Sequence, residues 1–304
     1  MRELVIVSGK GGTGKTSLTA AFAALAAQNG GLALCDADVD AADLHLLTQP
    51  AIRQQTDFMG GGKALVDPDL CTGCGICRAH CRFAAISERF AVDPIRCEGC
   101  GVCVHFCPER AIAFAPQRCG QWYVSETRFG PMVHARLGVA EENSGKLVSL
   151  VRREARQVAE DRGLKLLITD GPPGIGCPVI AAVGGATALA IVVEPTVSGL
   201  HDLGRVLDLA AHFRVPGLVC VNKFDLNPEM TGAVEDLARS RNVALAGRIP
   251  FDPAFVRAMV QGQTVLEFDQ ADRARRAVRA VWDNIIRSPA MNPARIVDFR
   301  QTIR

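Results

Sequence analysis

Eight cysteines fall into two blocks of one spacing, C-x2-C-x2-C-x3-C: Cys71, Cys74, Cys77 and Cys81, then Cys97, Cys100, Cys103 and Cys107. Nearer the amino terminus, Gly9-Lys10-Gly11-Gly12-Thr13-Gly14-Lys15-Thr16-Ser17 combines glycines, lysines and hydroxyls in a G-x4-G-K-T pattern. Thiolates at short, regular spacing are ligands for iron or zinc. Glycines in such a loop let backbone N–H groups curl around phosphate oxygens, and the helix that follows points its positive end at them. Lys15 is expected on the β- and γ-phosphates and the Thr16 hydroxyl on Mg2+. The chemistry implied is ATP binding and a metal-cluster function in one chain.

These groups must be positioned by elements that the sequence also outlines. Glu3 to Ser8 reads as a buried strand running into the loop, and Thr16 to Gln28 as the helix behind it. A second strand, Gly31 to Cys35, delivers Asp36, Asp38 and Asp40 at its carboxyl end, where open α/β sheets place ligands. The alternation resumes with a helix at 146–162, strands at 165–169 and 188–193, a helix at 200–212, and strands at 218–222 and 244–249. This order predicts a doubly wound, mostly parallel α/β sheet. Between 60 and 116 the period disappears, and Val66-Asp67-Pro68 repeats as Val92-Asp93-Pro94, Ala85-Ile86 as Ala111-Ile112. The expected organisation is a discontinuous core, 1–59 and 117–304, with a small α+β domain inserted at 60–116. Its low apolar content leaves metal to supply much of its cohesion.

Composition narrows the classes. With 12 cysteines in 304 residues and a loop of intracellular type, a disulfide framework fits poorly. The opening run lacks the features of a secretion signal, and the most apolar stretch, Ile175 to Val193, is broken by Gly176, Pro178, Gly184 and Gly185. A cytoplasmic protein without a membrane span is expected. A net charge of +2 with no long basic run gives no reason to expect a nucleic-acid partner.

The loop with its extra Lys10 resembles the deviant Walker A motif of the MinD/ParA superfamily of P-loop ATPases. Asp36-Ala37-Asp38 resembles that family's D-x-D segment, and Leu167-Ile168-Thr169-Asp170-Gly171-Pro172-Pro173-Gly174 its switch II segment, especially in the Mrp and nitrogenase iron protein branch. The resemblance implies ATP hydrolysis, slow and partner-stimulated. It places Lys10 across a dimer interface on the partner's nucleotide, Asp38 on the attacking water, and Asp36 and Asp170 near Mg2+. Asn222 and Lys223 would read the adenine ring, with Pro250 flanking the base. The implied partners are a second copy or a paralogue, joined in a nucleotide-dependent dimer.

The cysteine blocks, the second continuing into Pro108, are similar to the bacterial ferredoxin run for two 4Fe-4S clusters, in which the fourth cysteine of each block ligates the other cluster. Cluster one would take Cys71, Cys74, Cys77 and Cys107; cluster two Cys97, Cys100, Cys103 and Cys81. Structural zinc is the competing reading. Arg82 stands where the ferredoxin pattern has proline after Cys81. Arg78, Arg82 and Arg96 would favour the reduced clusters and an acidic redox partner, or be ordinary solvated charges. Cys35 and Cys220 read as small core residues. Cys177 follows Gly174-Ile175-Gly176, near where the nitrogenase iron protein branch places cluster-bridging cysteines, so the resemblance implies a bridge across a twofold axis; Cys119 and the histidines at 80, 105 and 134 receive no role.

Three readings follow: ATP-gated electron transfer through two clusters, delivery of a cluster or metal centre to a client, or a positioning ATPase whose clusters fold a partner-binding module. The last would want a membrane-seeking tail, for which 294–304 qualifies faintly.

Overall fold

The computed structural model describes residues 1–138 and 144–292; the 294–304 tail lies outside them. In chain order the elements are β1 (Arg2–Ser8), α1 (Lys15–Ala27), β2 (Ala33–Asp36), α2 (Leu44–Thr48), β3 (Ala51–Val66), α3 (Ile76–His80), α4 (Val102–Phe106), β4 (Ile112–Glu126) and β5 (Pro131–Leu137). There follow α5 (Ser144–Asp161), β6 (Leu166–Pro173), α6 (Cys177–Val183), β7 (Ala188–Val193), α7 (Val197–His212), β8 (Gly217–Asn222), α8 (Pro228–Ser240), β9 (Ala244–Ile249), α9 (Ala254–Val260) and α10 (Asp272–Arg287). Nine strands form one sheet in the order β3-β4-β5-β2-β6-β1-β7-β8-β9. From β5 to β9 neighbours are parallel, whereas β3, β4 and β5 pair antiparallel.

The central strands are apolar on both faces because helices cover both. Leu4 and Ile6 of β1 face the core under α1 and α10, while Val5 and Val7 face the one under α5, α6 and α7. Helix α1 is alanine-rich and buried almost throughout from Leu18 to Ala26, with Phe22 stacked on Trp282 of α10 at 5.3 Å. Cys35 and Cys220 are buried in these cores, as expected, and burial pushes the Cys220 thiol up to about 12.

At the amino ends of the strands Glu3 is buried and shared: Arg152 Nε (2.9 Å) and Thr169 Oγ1 (3.1 Å) donate to Oε1, and Arg156 Nε (2.9 Å) to Oε2. Arg152 Nη1 also donates to the carbonyls of Ala181 and Gly184. Removing one partner of a buried pair leaves an uncompensated charge. Arg152→Ala is therefore expected to cost about 3 kcal/mol of stability, the low end of the usual range because Arg156 remains, read from the urea midpoint.

The β3–β4 hairpin is the element that sequence pattern did not reveal. It runs from Ala51↔Glu126 to Val66↔Ile112, with register shifts at Phe58/Met59 and Gly60/Gly62. Only Gly120 to Glu126 of β4 also pair with β5, so the hairpin leaves the sheet beyond Gly120↔Leu137. Its strands run on through 60 and 116, where the cysteine domain was expected to begin and end. The segment 67–111 caps the free end.

Candidate nucleotide and cysteine sites

The phosphate loop leaves β1 and enters α1 at Gly14, whose φ of 87° lies in the left-handed region. That φ favours glycine, and a Cβ there would also stand 2.6 Å from Asn222 Nδ2 and displace its amide. The loop borders a cavity of about 420 Å³ with Asp38, Asn222, Lys223 and Pro250 on its rim, at the carboxyl ends of the strands. Phe251, Phe255, Val256 and Met259 form an apolar wall. This wall lay beyond sequence reading, because α9 shows no pattern that separates a pocket face from a core face.

Asp170 gathers three donors from α1: Lys15 Nζ to Oδ1 at 2.9 Å, Thr16 Oγ1 to Oδ2 at 2.7 Å and Thr19 Oγ1 to Oδ1 at 2.9 Å. Thr19 was missed, although it lies one turn beyond Thr16 on the same face. Lys15 also reaches Asp38 Oδ2 at 3.5 Å. Burial pulls the Lys15 ammonium down, but the charges of Asp170 and Asp38 outweigh it and its pKa is raised. Asp36 is wholly buried and accepts the N–H groups of Asp38 (3.1 Å) and Leu44 (3.2 Å). Burial, then the Asp170 charge, hold its carboxyl well above the usual range; burial likewise raises Asp38 against the opposing Lys15.

Three carboxylates around one ammonium form a place for added positive charge. Among the described residues no three His, Cys, Asp or Glu side chains converge as ligands of a single ion. Mg2+ makes no such demand, since it binds through one or two protein oxygens with phosphate oxygens and water. Thr13 Oγ1 is buried with no hydrogen-bond partner, and a Cβ at Gly11 or Gly12 would meet nothing within 4 Å. An orphaned hydroxyl beside an open loop fits an incoming phosphate.

Lys10 turns away from the cavity. Its Nζ pairs with Glu194 Oε2 at 3.1 Å and donates to Thr196 Oγ1 at 3.3 Å. Lys223 Nζ meets the other Glu194 oxygen and donates to the Gly12 carbonyl at 3.3 Å. Asn222 Nδ2 donates to the Thr13 carbonyl at 2.7 Å, so this amide braces the phosphate loop. Glu194 was not foreseen; its signal is a carboxylate immediately after the buried strand β7.

The cysteine segment obeys its internal repeat. Gly75 and Gly101, with φ of 80° and 73°, open α3 and α4 in the same way. Asp67 N–H donates to Ala111 and Asp93 N–H to Ala85, both at 2.7 Å. Cys71, Cys74, Cys77 and Cys107 line one cavity; Cys81, Cys97, Cys100 and Cys103 line another. None is in a disulfide. The Ala85 and Ala111 amides donate to the sulfurs of Cys81 (3.4 Å) and Cys107 (3.3 Å). Cys177 is exposed at the start of α6, while Cys119 is buried with Gly60 O and Gln117 O as acceptors for its thiol.

His134, buried in β5, shares a hydrogen bond of 2.9 Å between its Nε2 and Ser125 Oγ and is lowered to about 4, chiefly by burial. Its neutral form is favoured by folding, so stability is full above the unfolded value near 6.5 and falls as pH drops toward 4. Between pH 7 and 5 the wild type is expected to lose about 2 kcal/mol more than His134→Gln, compared by urea midpoints.

A mostly parallel sheet with a phosphate loop after its first-in-chain strand, and an acidic pocket behind it, defines a P-loop nucleoside triphosphatase. The CobQ/CobB/MinD/ParA nucleotide binding domain matches residues 4–265, and the chain belongs to this family of ATPases. An uncharacterized protein of Methanocaldococcus jannaschii is 33% identical over 226 residues, covering 74% of this chain and 79% of that one. Among solved structures, the cell division ATPase MinD of Pyrococcus furiosus is similar at a TM-score of 0.58, with 19% identity over 93% of this chain and 98% of that chain. The septum site-determining protein MinD of Pyrococcus horikoshii, complexed with Mg-ADP, is similar at 0.59, with 15% identity over 94% and 96%. These two likenesses concern the fold. No helix among the described residues is long and apolar enough to cross a membrane.

Proposed function

We propose that this ATPase couples a Mg-ATP-driven conformational change to electron transfer through two 4Fe-4S clusters held at 67–111. The observation that carries the reading is the division of eight thiols into two sets of four around separate cavities, at the tip of a hairpin rooted in the ATPase sheet. Eight cysteines in two triplet-plus-one blocks favour clusters over zinc. Each cluster would be held by Cys71, Cys74, Cys77 and Cys107, or by Cys81, Cys97, Cys100 and Cys103, and would supply one-electron redox chemistry when bound. Full cysteine sets suit retention of the clusters for electron transfer rather than their delivery to a client.

On the nucleotide side, Lys15 neutralises phosphate charge, Thr16 and Asp170 hold Mg2+, with Asp36 behind them, and Asp38 orients water. Asn222, Lys223 and Pro250 border the base. Phosphoryl transfer needs little beyond such positioning and charge neutralisation. Lys10 leaves Glu194 to reach the nucleotide of a second copy or paralogue, so dimer closure and nucleotide state are linked. The electron donor or acceptor is a separate protein.

The test is an anaerobic EPR-monitored redox titration with Mg-ADP and with a non-hydrolysable ATP analogue. A changed potential or line shape between the two is the expected result. Identical titrations would remove gated electron transfer and favour a cluster-folded docking module on a positioning ATPase.

A further inference from the structure

The two cysteine cavities are not equivalent with respect to the ATPase sheet. Counting rungs outward from Gly120, where the hairpin leaves β5, the cavity of Cys81, Cys97, Cys100 and Cys103 is lined by Ala64 and Phe114, and these two residues are paired. The cavity of Cys71, Cys74, Cys77 and Cys107 is lined by the last rung, Val66↔Ile112. The first is therefore the inner cavity and the second the outer.

A continuous set of contacts joins the inner cavity to the nucleotide pocket. The carbonyl of Val39, the residue after Asp38, accepts the Leu137 N–H at 3.2 Å at the end of β5. The next residue, Gly138, donates to the Cys119 carbonyl at 2.7 Å, and the Cys119 thiol donates to the Gly60 carbonyl of β3. At Gly120 the two strands come so close that a Cβ would stand 2.6 Å from the Arg136 carbonyl. Next come the register shifts around Gly60 and Gly62. Beyond them the cysteine segment touches down: Gly99, at a φ of 62°, lies so close that a Cβ would meet Gly62 O at 2.5 Å, and Lys63 Nζ donates to the Cys97 carbonyl at 2.8 Å. Glycines at both close approaches leave no side chain to absorb a displacement. Two of the links are backbone hydrogen bonds, two are side-chain bonds to carbonyls and two are glycine close approaches, so a shift of the Asp38–Val39 loop is passed to the hairpin joint rather than lost in loose packing.

We propose that the β4–β5 joint at Cys119-Gly120 and Leu137-Gly138 transmits nucleotide state to the inner cysteine set alone, which makes the outer set the one that exchanges electrons with an external partner. This rests on the proposed coupling of ATP to the clusters and adds its route and direction. The inner set feels the nucleotide through Gly99 and Lys63, whereas the outer set, lined two rungs further out, shows no hydrogen bond to residues 60–63 among the described contacts.

Hydrogen exchange of the iron-loaded, anaerobic full-length protein, compared between Mg-ADP and a non-hydrolysable ATP analogue, tests this route. The expected result is a nucleotide-dependent change in amide protection at 58–63, 97–103, 117–121 and 135–138, with 69–77 unchanged. Cys119→Ala should reduce the change at 97–103 at least severalfold while leaving the change around the phosphate loop intact. A change at 69–77 equal to that at 97–103, or one at 97–103 that survives Cys119→Ala at full size, overturns the route but leaves the coupling standing. Changes confined to the phosphate loop overturn the coupling itself, and the route with it.

Discussion

Lys15→Ala is expected to lower ATP hydrolysis by at least about 10²–10³-fold, the scale seen when one preorganised donor is removed from developing charge. The side chain does two things at once in this structure. In the proposed role it meets the β- and γ-phosphates, and it neutralises Asp170 at 2.9 Å and Asp38 at 3.5 Å. Its loss should therefore also cost about 3 kcal/mol of stability at neutral pH, because buried carboxylates lose their partner. Asp36 and Asp38 are already raised by burial, and Lys15 opposes that rise in both. In the variant they rise further above their unfolded values, so the added penalty is present at pH 7 and shrinks as the pH falls and they protonate. Urea midpoints at pH 7 and 5.5 separate this effect from catalysis. Saturating Mg2+ should recover part of the neutral-pH loss by occupying the same acidic pocket. Hydrolysis within tenfold of wild type would remove Lys15 from the catalytic machinery.

The phosphate loop and the parallel strands were legible because their sequence carries two independent signals, apolar runs of strand length and a glycine pattern whose spacing serves one geometry. Strands 188–193 and 244–249 agree with the observed ends, and β1, β2, β6 and β8 differ by one to several residues. The swapped partition of cysteines came from the resemblance of the two blocks to the bacterial ferredoxin run, and the same two sets of four line separate cavities in the structure. The hairpin did not show. Its first five residues, Ala51 to Gln55, are exposed and so lack alternation, and Gly60-Gly61-Gly62 reads as a loop. What keeps it extended is pairing with β4, a partner some sixty residues away in sequence that no local pattern announces. Lys10 shows a different limit. A motif fixes which residue can move to a partner's nucleotide, but not that Glu194 and Thr196 hold it in its own chain.

Removing the iron of the proposed clusters is expected to unfold 67–111 while leaving the ATPase core folded. Among the described residues, the buried apolar cluster that reaches that segment comprises Ala64, Cys77, Ile86 and Ile112; only Cys77 and Ile86 belong to 67–111, and Cys77 is itself a proposed ligand. Its helices α3 and α4 have five residues each, far below the length at which a helix is stable without tertiary support. The remaining order comes from turns and a single isolated bridge, Ile86↔Val92. A segment of this size without metal lacks the buried surface to offset the entropy of ordering its chain. Cluster ligation would thus supply its folding free energy, as bound metal does in other small domains. After anaerobic chelation, amides between 69 and 110 should exchange at the rate of unstructured peptide. Those of β1, β6 and β7 should keep their protection, because the cores on both faces of the sheet contain none of the eight cysteines. Protection retained at 69–110 after the iron is gone would mean that the segment folds by itself and that its thiols have another use.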